Sequence, residues 1–441
     1  MTAPFQLRVA LTEPARPAAT LLDWLSSQRA TIDRSGNLLA GVRPPSVAME
    51  LLRFAGAVYC IDKVVAREAA LDAWTRDLAI DMPVADQATW QAATPALVDA
   101  LSFLSGDRWT VSAVAGSEER QDAESASAVD AVCLFSAGLD SLCGAIELLE
   151  KGASVCLVSH YEGGITPSRQ RELATALRHH YGRDRVRHRS LFLRPAPARA
   201  MQERPLPQAV ENTTRSRSLL FIGAGLALAT AIGPAVPLYV PENGFIGINV
   251  PLTSARSGSL STRTTHPYFH DRLQAALDLL GVKNPIKNPF RLRTKGEIVE
   301  ATRNPALLAK LAPRSLSCAH PERARYDKLP HGNCGYCFPC LIRRAAMHRG
   351  SLDDGSAYTY DVLTVPGFID SAGDRAETLR ALVRSLSRPA RWTDVVRNGP
   401  IPGNERASFD GVYRRGREEI FSWLSTTSDG ALRSRLAGAV H

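Results

Sequence analysis

An apolar run at residues 129–135 (VDAVCLF) passes into Ser136-Ala137-Gly138-Leu139-Asp140-Ser141 and then into a helical pattern at 142–150. A buried strand, a turn of small residues and a helix in such quick succession leave few folds open. The pattern repeats. A second strand is expected at 153–159 (ASVCLVS), a helix at 168–181, a third strand at 185–191, and an apolar helix from Ser216 leads to a strand at 238–240. Alternating strands and helices predict an α/β fold, with a parallel sheet covered by helices on both faces. In such sheets ligands bind beyond the carboxyl ends of the strands. The stretch 218–240 carries no charge over 23 residues, nominally enough for a bilayer. Gly233-Pro234 and Pro237 interrupt it, so it reads as a buried helix ending at Gly233 and a short strand.

Two flanking zones differ from this core, and 441 residues is a length for two or three domains. Residues 1–127 form an N-terminal α+β module, with strands at 6–11, 77–82 and 109–115 and helices at 47–66 and 88–104. It holds no catalytic constellation and reads as a partner-binding or dimerisation module. Residues 116–127 (GSEERQDAESAS) read as a linker or exposed loop. The core spans 128–349. Residues 350–441 form a helical C-terminal accessory region, with helices at 376–386 and 412–424.

The turn at Ser136–Ser141 has two readings. As an anion site, it offers backbone N–H groups and a helix start to phosphate oxygens. Ser136 and Ser141 add hydroxyls, and Asp140 can hold the magnesium that accompanies a nucleotide. As an ordinary strand–turn–helix, it simply places Ser141 near a helix cap. No Gly-Lys pair occurs anywhere, which excludes a Walker loop, and Gly223-x-Gly225 sits inside a helix.

Four of the eight cysteines crowd together: Cys318, then Cys334, Cys337 and Cys340 at two-residue gaps. Such turns aim their thiols at one point, and the segment at Cys318 completes a tetrahedron for structural zinc. An iron–sulfur cluster would use the same ligands. His320 and His331 are nearby alternatives, while Cys60, Cys133, Cys143 and Cys156 lie on apolar segments as core residues. Sparse cysteines and no signal-like start at Met1 point to a reducing cytoplasm. The composition, 45% hydrophobic and 22% charged, excludes a disordered chain. The net charge of +9 comes from 53 basic residues, only seven of them lysines. These arginines are scattered, so nucleic acid is a conceivable partner but not a required one.

Ser136 to Ser141 resembles the SGGxDS loop of the N-type ATP pyrophosphatases, with Ala137 where that family has glycine. Loop and cluster together, with Cys334-Gly335-Tyr336-Cys337-Phe338-Pro339-Cys340 running on to Arg343, resemble the 7-cyano-7-deazaguanine synthase (QueC) family. Arg217-Ser218-Leu219-Leu220-Phe221 is similar to that family's RN-led helix, and Thr294-Lys295-Gly296-Glu297-Ile298 to its lysine-containing element. The resemblance covers about residues 129–349. It implies an adenine nucleotide alpha-hydrolase-like (PP-loop) fold that uses ATP, Mg2+ and Zn2+. Ser136, Ala137, Gly138, Leu139 and Ser141 would then bind the phosphates, and Asp140 would position magnesium. Arg217 and Lys295 would neutralise phosphate charge, and all four clustered cysteines would bind zinc. The implied activity is an ATP-dependent carbon–nitrogen ligase that adenylates 7-carboxy-7-deazaguanine and forms an amide or nitrile, or couples the base to another amine, with base recognition in the stretch 243–266. There His266 has an alternative reading as a structural loop histidine. A core with such flanks resembles the QueC-like proteins of bacterial anti-phage islands, the Qat system among them. That implies a protein partner encoded nearby and bound through residues 1–127, with an amine on it as acceptor. Two other classes stay open: a nucleic-acid-binding or RNA-modifying protein, and a degenerate ATP-binding scaffold.

Overall fold

The computed structural model describes residues 5–9, 20–22, 30–32, 38–116, 124–125, 128–195, 211, 215–251, 263–323, 328, 332–353, 355 and 357–437. Most of the expected linker at 116–127, positions 252–262 of the expected base-recognition stretch, and His331 lie outside them.

The chain opens with strands β1 (Phe5–Val9), β2 (Thr20–Leu22), β3 (Ala30–Ile32) and β4 (Val42–Arg43), followed by helix α1 (Ser46–Val64). Strand β5 (Asp77–Val84), helix α2 (Gln87–Ser105) and strand β6 (Arg108–Ala115) come next. The first sheet has the order β2-β1-β5-β6 and is parallel throughout. The elements match the expected positions closely, but the class does not: this module is α/β rather than α+β. Strand–helix–strand spacing at 77–115 is that of a crossover unit, which demands parallel neighbours. Alternate residues Leu78, Ile80, Met82 and Val84 are buried, so the sheet has one core face.

Strands β7 (Glu124–Ser125) and β8 (Ala131–Leu134) lead into helix α3 (Leu139–Glu150). Strand β9 (Val155–Tyr161), helix α4 (Thr166–Tyr181) and strand β10 (Val186–Pro195) follow. Helix α5 (Arg217–Ile232), strand β11 (Leu238–Tyr239) and helices α6 (Gly244–Ile248) and α7 (Pro267–Leu279) precede strand β12 (Ile286–Lys287). The central sheet has the order β12-β11-β8-β9-β10-β3. Its five core strands are parallel, and β3 adds an antiparallel edge from the N-terminal zone. Val132, Leu134, Cys156 and Val158 face α1, α5 and α7, while Cys133, Phe135, Val155 and Leu157 face α3 and α4. Burial on both faces explains why these strands read as near-continuous apolar runs. The uncharged stretch at 218–240 is the buried helix α5 and then β11, as expected. Among the described residues no helix is long and apolar enough to cross a membrane.

Helices α8 (Lys295–Glu300), α9 (Pro305–Leu311) and α10 (Phe338–Arg349) complete the core. The C-terminal region supplies α11 (Glu377–Leu386), α12 (Trp392–Val396), α13 (Arg406–Leu424) and α14 (Gly430–Leu436), helical as the sequence indicates. Neither flank is loosely attached. The apolar cluster around α1 and α2 continues without a break into α5, α7 and the central sheet. On the other side, Phe245 and Ile248 of α6 share a cluster with Phe409, Val412 and Tyr413 of α13.

Candidate functional site

The carboxyl end of β8 delivers Ser136 to the surface, and the next residue turns the chain. Ala137 is buried at φ 67°, in the left-handed region. That conformation costs an L-residue about 1–2 kcal/mol, which is why glycine suits the position better. The Ala137 carbonyl accepts from Leu316 N at 2.8 Å, which helps to hold the turn. Helix α3 begins at once with Leu139, earlier than the sequence pattern suggests, so Asp140 sits in its first turn and favours the positive helix end.

The donors of the turn converge on hydroxyls. Gly138 N donates to Ser136 Oγ at 3.2 Å, and the hydroxyls of Ser136 and Ser141 lie 3.3 Å apart. Leu139 N donates to Ser317 Oγ at 3.1 Å. These hydroxyls occupy the amides that an anion would contact. Asp140 is buried between two partners. Lys295 Nζ donates to its Oδ1 at 2.6 Å, and Asn243 donates to Oδ2 from N at 3.2 Å and Nδ2 at 2.7 Å. The turn residues, Asp140 and Lys295 are therefore brought together. Arg217 is not part of that group. Among the described residues its bonds go to the Nδ1 and backbone carbonyl of His160, at 3.4 and 3.3 Å near the end of β9. Burial first, and then this guanidinium, push the His160 imidazole down to about 3, so the ring is neutral and accepts from Arg217.

Four contributors were not among the residues expected at this turn, although Asn243 opens the stretch expected to recognise the base. Asn243 and Glu242 follow β11 at the same edge of the sheet, which only the strand order reveals. Burial pushes the Glu242 carboxyl up to about 7, against the hydrogen bond from Thr265 Oγ1. Ser317 joins the turn because the segment before Cys318 runs past it. Glu419, from α13, accepts from Thr294 Oγ1 at 2.6 Å and Gly296 N at 2.8 Å, beside Lys295. A Cβ at Gly296 would stand 2.5 Å from Glu419 Cδ, so glycine permits this approach. His266 caps α7 through Nδ1 to Tyr268 N, the structural role among its two readings.

The cysteine cluster assembles as the spacing suggests. The sulfurs of Cys318, Cys334, Cys337 and Cys340 all lie within 4.8 Å of one another, with 3.8 Å between Cys318 and Cys337 and 3.9 Å between Cys334 and Cys340. A tetrahedral site with zinc–sulfur bonds of about 2.3 Å has sulfur–sulfur edges of about 3.8 Å. Backbone amides of Ala319, His320, Cys334 and Cys337 point at the sulfurs from 3.3–3.4 Å, which stabilises thiolates. The group can hold a metal ion such as zinc. Gly335, at φ 89°, packs so closely that a Cβ would meet Tyr360 O at 1.9 Å. Behind the cluster, the fully buried Arg343 donates to Tyr358 Oη, Ser315 Oγ and Ala312 O at 3.0, 2.6 and 2.6 Å. Because Ser317 precedes Cys318, the cluster anchors the residue that touches Leu139. No family model, curated protein or solved structure matches the chain.

Proposed function

We propose that this chain is a QueC-like ATP-dependent ligase that adenylates the carboxylate of a 7-deazaguanine base and passes the acyl group to an amine. The observation that carries the reading is the turn at the carboxyl end of β8, where hydroxyls gather at a helix start beside the Asp140–Lys295 pair. A carboxylate is a poor electrophile. Its oxygen attacks the α-phosphorus, the α–β phosphoanhydride bond breaks, and pyrophosphate leaves. The amine nitrogen then attacks the acyl carbon, loses a proton and expels AMP. The protein's task is alignment and charge neutralisation. A phosphate displaces the Ser136 and Ser317 hydroxyls from Gly138 N and Leu139 N. These amides, with the hydroxyls of Ser136, Ser141 and Ser317, are its donors, and Lys295 is the nearby cation. Asp140 and Glu242 are the carboxylates available to a magnesium ion, which supplies further neutralisation of pyrophosphate. In this reading Arg217 acts from the neighbouring strand end. The four cysteines hold zinc in a structural role, and a protein partner engaged by residues 1–127 carries the acceptor amine, in the anti-phage setting that the resemblance implies.

Incubation with ATP, magnesium and 7-carboxy-7-deazaguanine, with and without candidate partner proteins, tests this. Base-dependent pyrophosphate release that falls at least about 100-fold in Asp140→Ala, on the scale of losing a key electrostatic group, is the expected result. Mass spectrometry of the product then names the acceptor. No pyrophosphate under any combination rejects the ligase.

A further inference from the structure

A cleft of about 730 Å³ is lined by Phe103 at the end of α2, by Arg263, and by Trp392, Arg397, Asn398 and Arg406 of the C-terminal region. No carboxylate lines it among the described residues. The closest acids in sequence are engaged elsewhere: Glu405 pairs with Arg291 at 2.6 Å, and Asp394 accepts from Arg391 N at 3.2 Å. The Arg263 guanidinium is half-buried, and among the described residues it bonds only to neutral oxygens, through Nε to Asn398 Oδ1 at 3.1 Å and Nη1 to Phe103 O at 2.6 Å. A partly desolvated cation without a counter-charge is unfavourable unless an anion joins it. Two guanidinium–ring stacks flank the opening, Arg263 over Phe103 at 4.7 Å and Arg406 over Trp392 at 4.9 Å. Stacked in this way, an arginine keeps its edge donors for phosphate while its plane and the ring offer a platform to a base.

We infer that this cleft is a second ligand site, taking a planar nucleobase that carries a phosphate. Phe103 is packed on its other sides by His266 and Tyr268, so the Arg406–Trp392 stack is the platform for a base. The carboxylates of an acidic peptide would answer the three arginines but leave that platform unused. The volume falls in the range for small-molecule sites, about 300–1,000 Å³. Three parts of the chain build the cleft, so it exists only in the folded whole, and it does not depend on the ligase reading.

The same chemistry belongs to a free mononucleotide and to a nucleotide at the end of a single strand. Calorimetric titration of the full chain, without magnesium, with GMP, AMP, inorganic phosphate, a 5′-phosphorylated ten-nucleotide RNA and a glutamate-rich peptide tests it. The expected result is a mononucleotide Kd at least tenfold tighter than that of phosphate or peptide, weakened at least tenfold by Arg397→Ala/Arg406→Ala. Both side chains are exposed, so the double variant keeps its urea midpoint. RNA binding more than tenfold tighter than GMP assigns the site to a strand; equal binding assigns it to the free nucleotide. Binding that survives Ser136→Ala/Ser141→Ala supports the cleft, and binding lost there belongs to the turn and overturns the inference. Phosphate or peptide binding as tight as GMP, no binding at all, or indifference to the arginine changes also overturns it.

Discussion

The two flanks attach to the core by the same device in different electrostatic settings. From the N-terminal side, Asp62 of α1 accepts from Ser216 N at 2.9 Å and Ser216 Oγ at 2.7 Å, holding the start of the helix that carries Arg217. From the C-terminal side, Glu419 of α13 does the equivalent at Thr294 and Gly296, holding the helix that carries Lys295. Asp62 belongs to a dense ion network. Arg76 reaches it at 2.6 Å and Asp107 at 2.7 Å, and Arg67 meets Asp107 at 2.9 Å. Among the described residues, Glu419 has only Arg349 as a cationic partner, at 3.7 Å. A capping carboxylate can thus be compensated by arginines or left to bear its own desolvation. Glu419 and Asp107, the carboxylate that shares its arginines with Asp62, respond oppositely to pH.

The largest effect is expected at the compensated end. Asp62→Ala removes a helix cap and leaves Arg76 buried beside one carboxylate, and breaking such a buried pair costs about 3–5 kcal/mol. Urea midpoints measure it. A loss below about 1 kcal/mol, the value of an exposed pair, would show that the network relaxes and that the two ends are alike. The next effect is the pH profile. Burial pushes the Glu419 carboxyl up to about 7 from its ordinary 4.5, despite its two donors. The folded state therefore holds that proton more tightly. Its contribution to stability is fullest below 4.5 and falls as pH rises through 7, by up to about 3 kcal/mol. Glu419→Gln removes this part of the decline. At Asp107 burial acts first in the same sense, but Arg76 and Arg67 outweigh it and hold the carboxyl below its ordinary 3.8. Its contribution is present above 3.8 and disappears in acid. Thermal melts from pH 3 to 8 that show no decline between 4.5 and 7 in the parent chain would break the contrast.

Much of this architecture could be read from the chain, and the exceptions have a physical cause. Strand–helix alternation and the Cys-x-x-Cys turns are local, so periodicity and spacing located α3, β9, α4, α5 and the cluster within a few residues. The candidate site is only half local. Ser136–Ser141 is contiguous, but Asn243 and Glu242 join it through strand order, Ser317 through the path toward Cys318, and Glu419 from 125 positions beyond its partner Thr294. No pattern in α13 distinguishes Glu419 from Glu418 beside it, because burial against α8 is a tertiary fact. The N-terminal class was misjudged for a related reason. The crossover spacing at 77–115 implies one parallel pair, but only the strand order shows that β1 and β2 join it in the same direction.

The smallest effect is expected between the two clamps, at Ala137. Its left-handed backbone is the one strained link in the turn, and the strain is local because Leu316 N and the helix start fix it on both sides. Glycine relieves about 1–2 kcal/mol of folded-state strain, while its freer unfolded chain takes back about 0.4–1 kcal/mol. Ala137→Gly is therefore expected to stabilise by about 1 kcal/mol or less, with no change in the slope of urea unfolding. A clear destabilisation would mean that the buried Ala137 methyl contributes more packing than the strain removes. The turn would then owe its shape to the core beneath it, and the flanking caps at Ser216 and Thr294 would matter less to it than the contrast between them suggests.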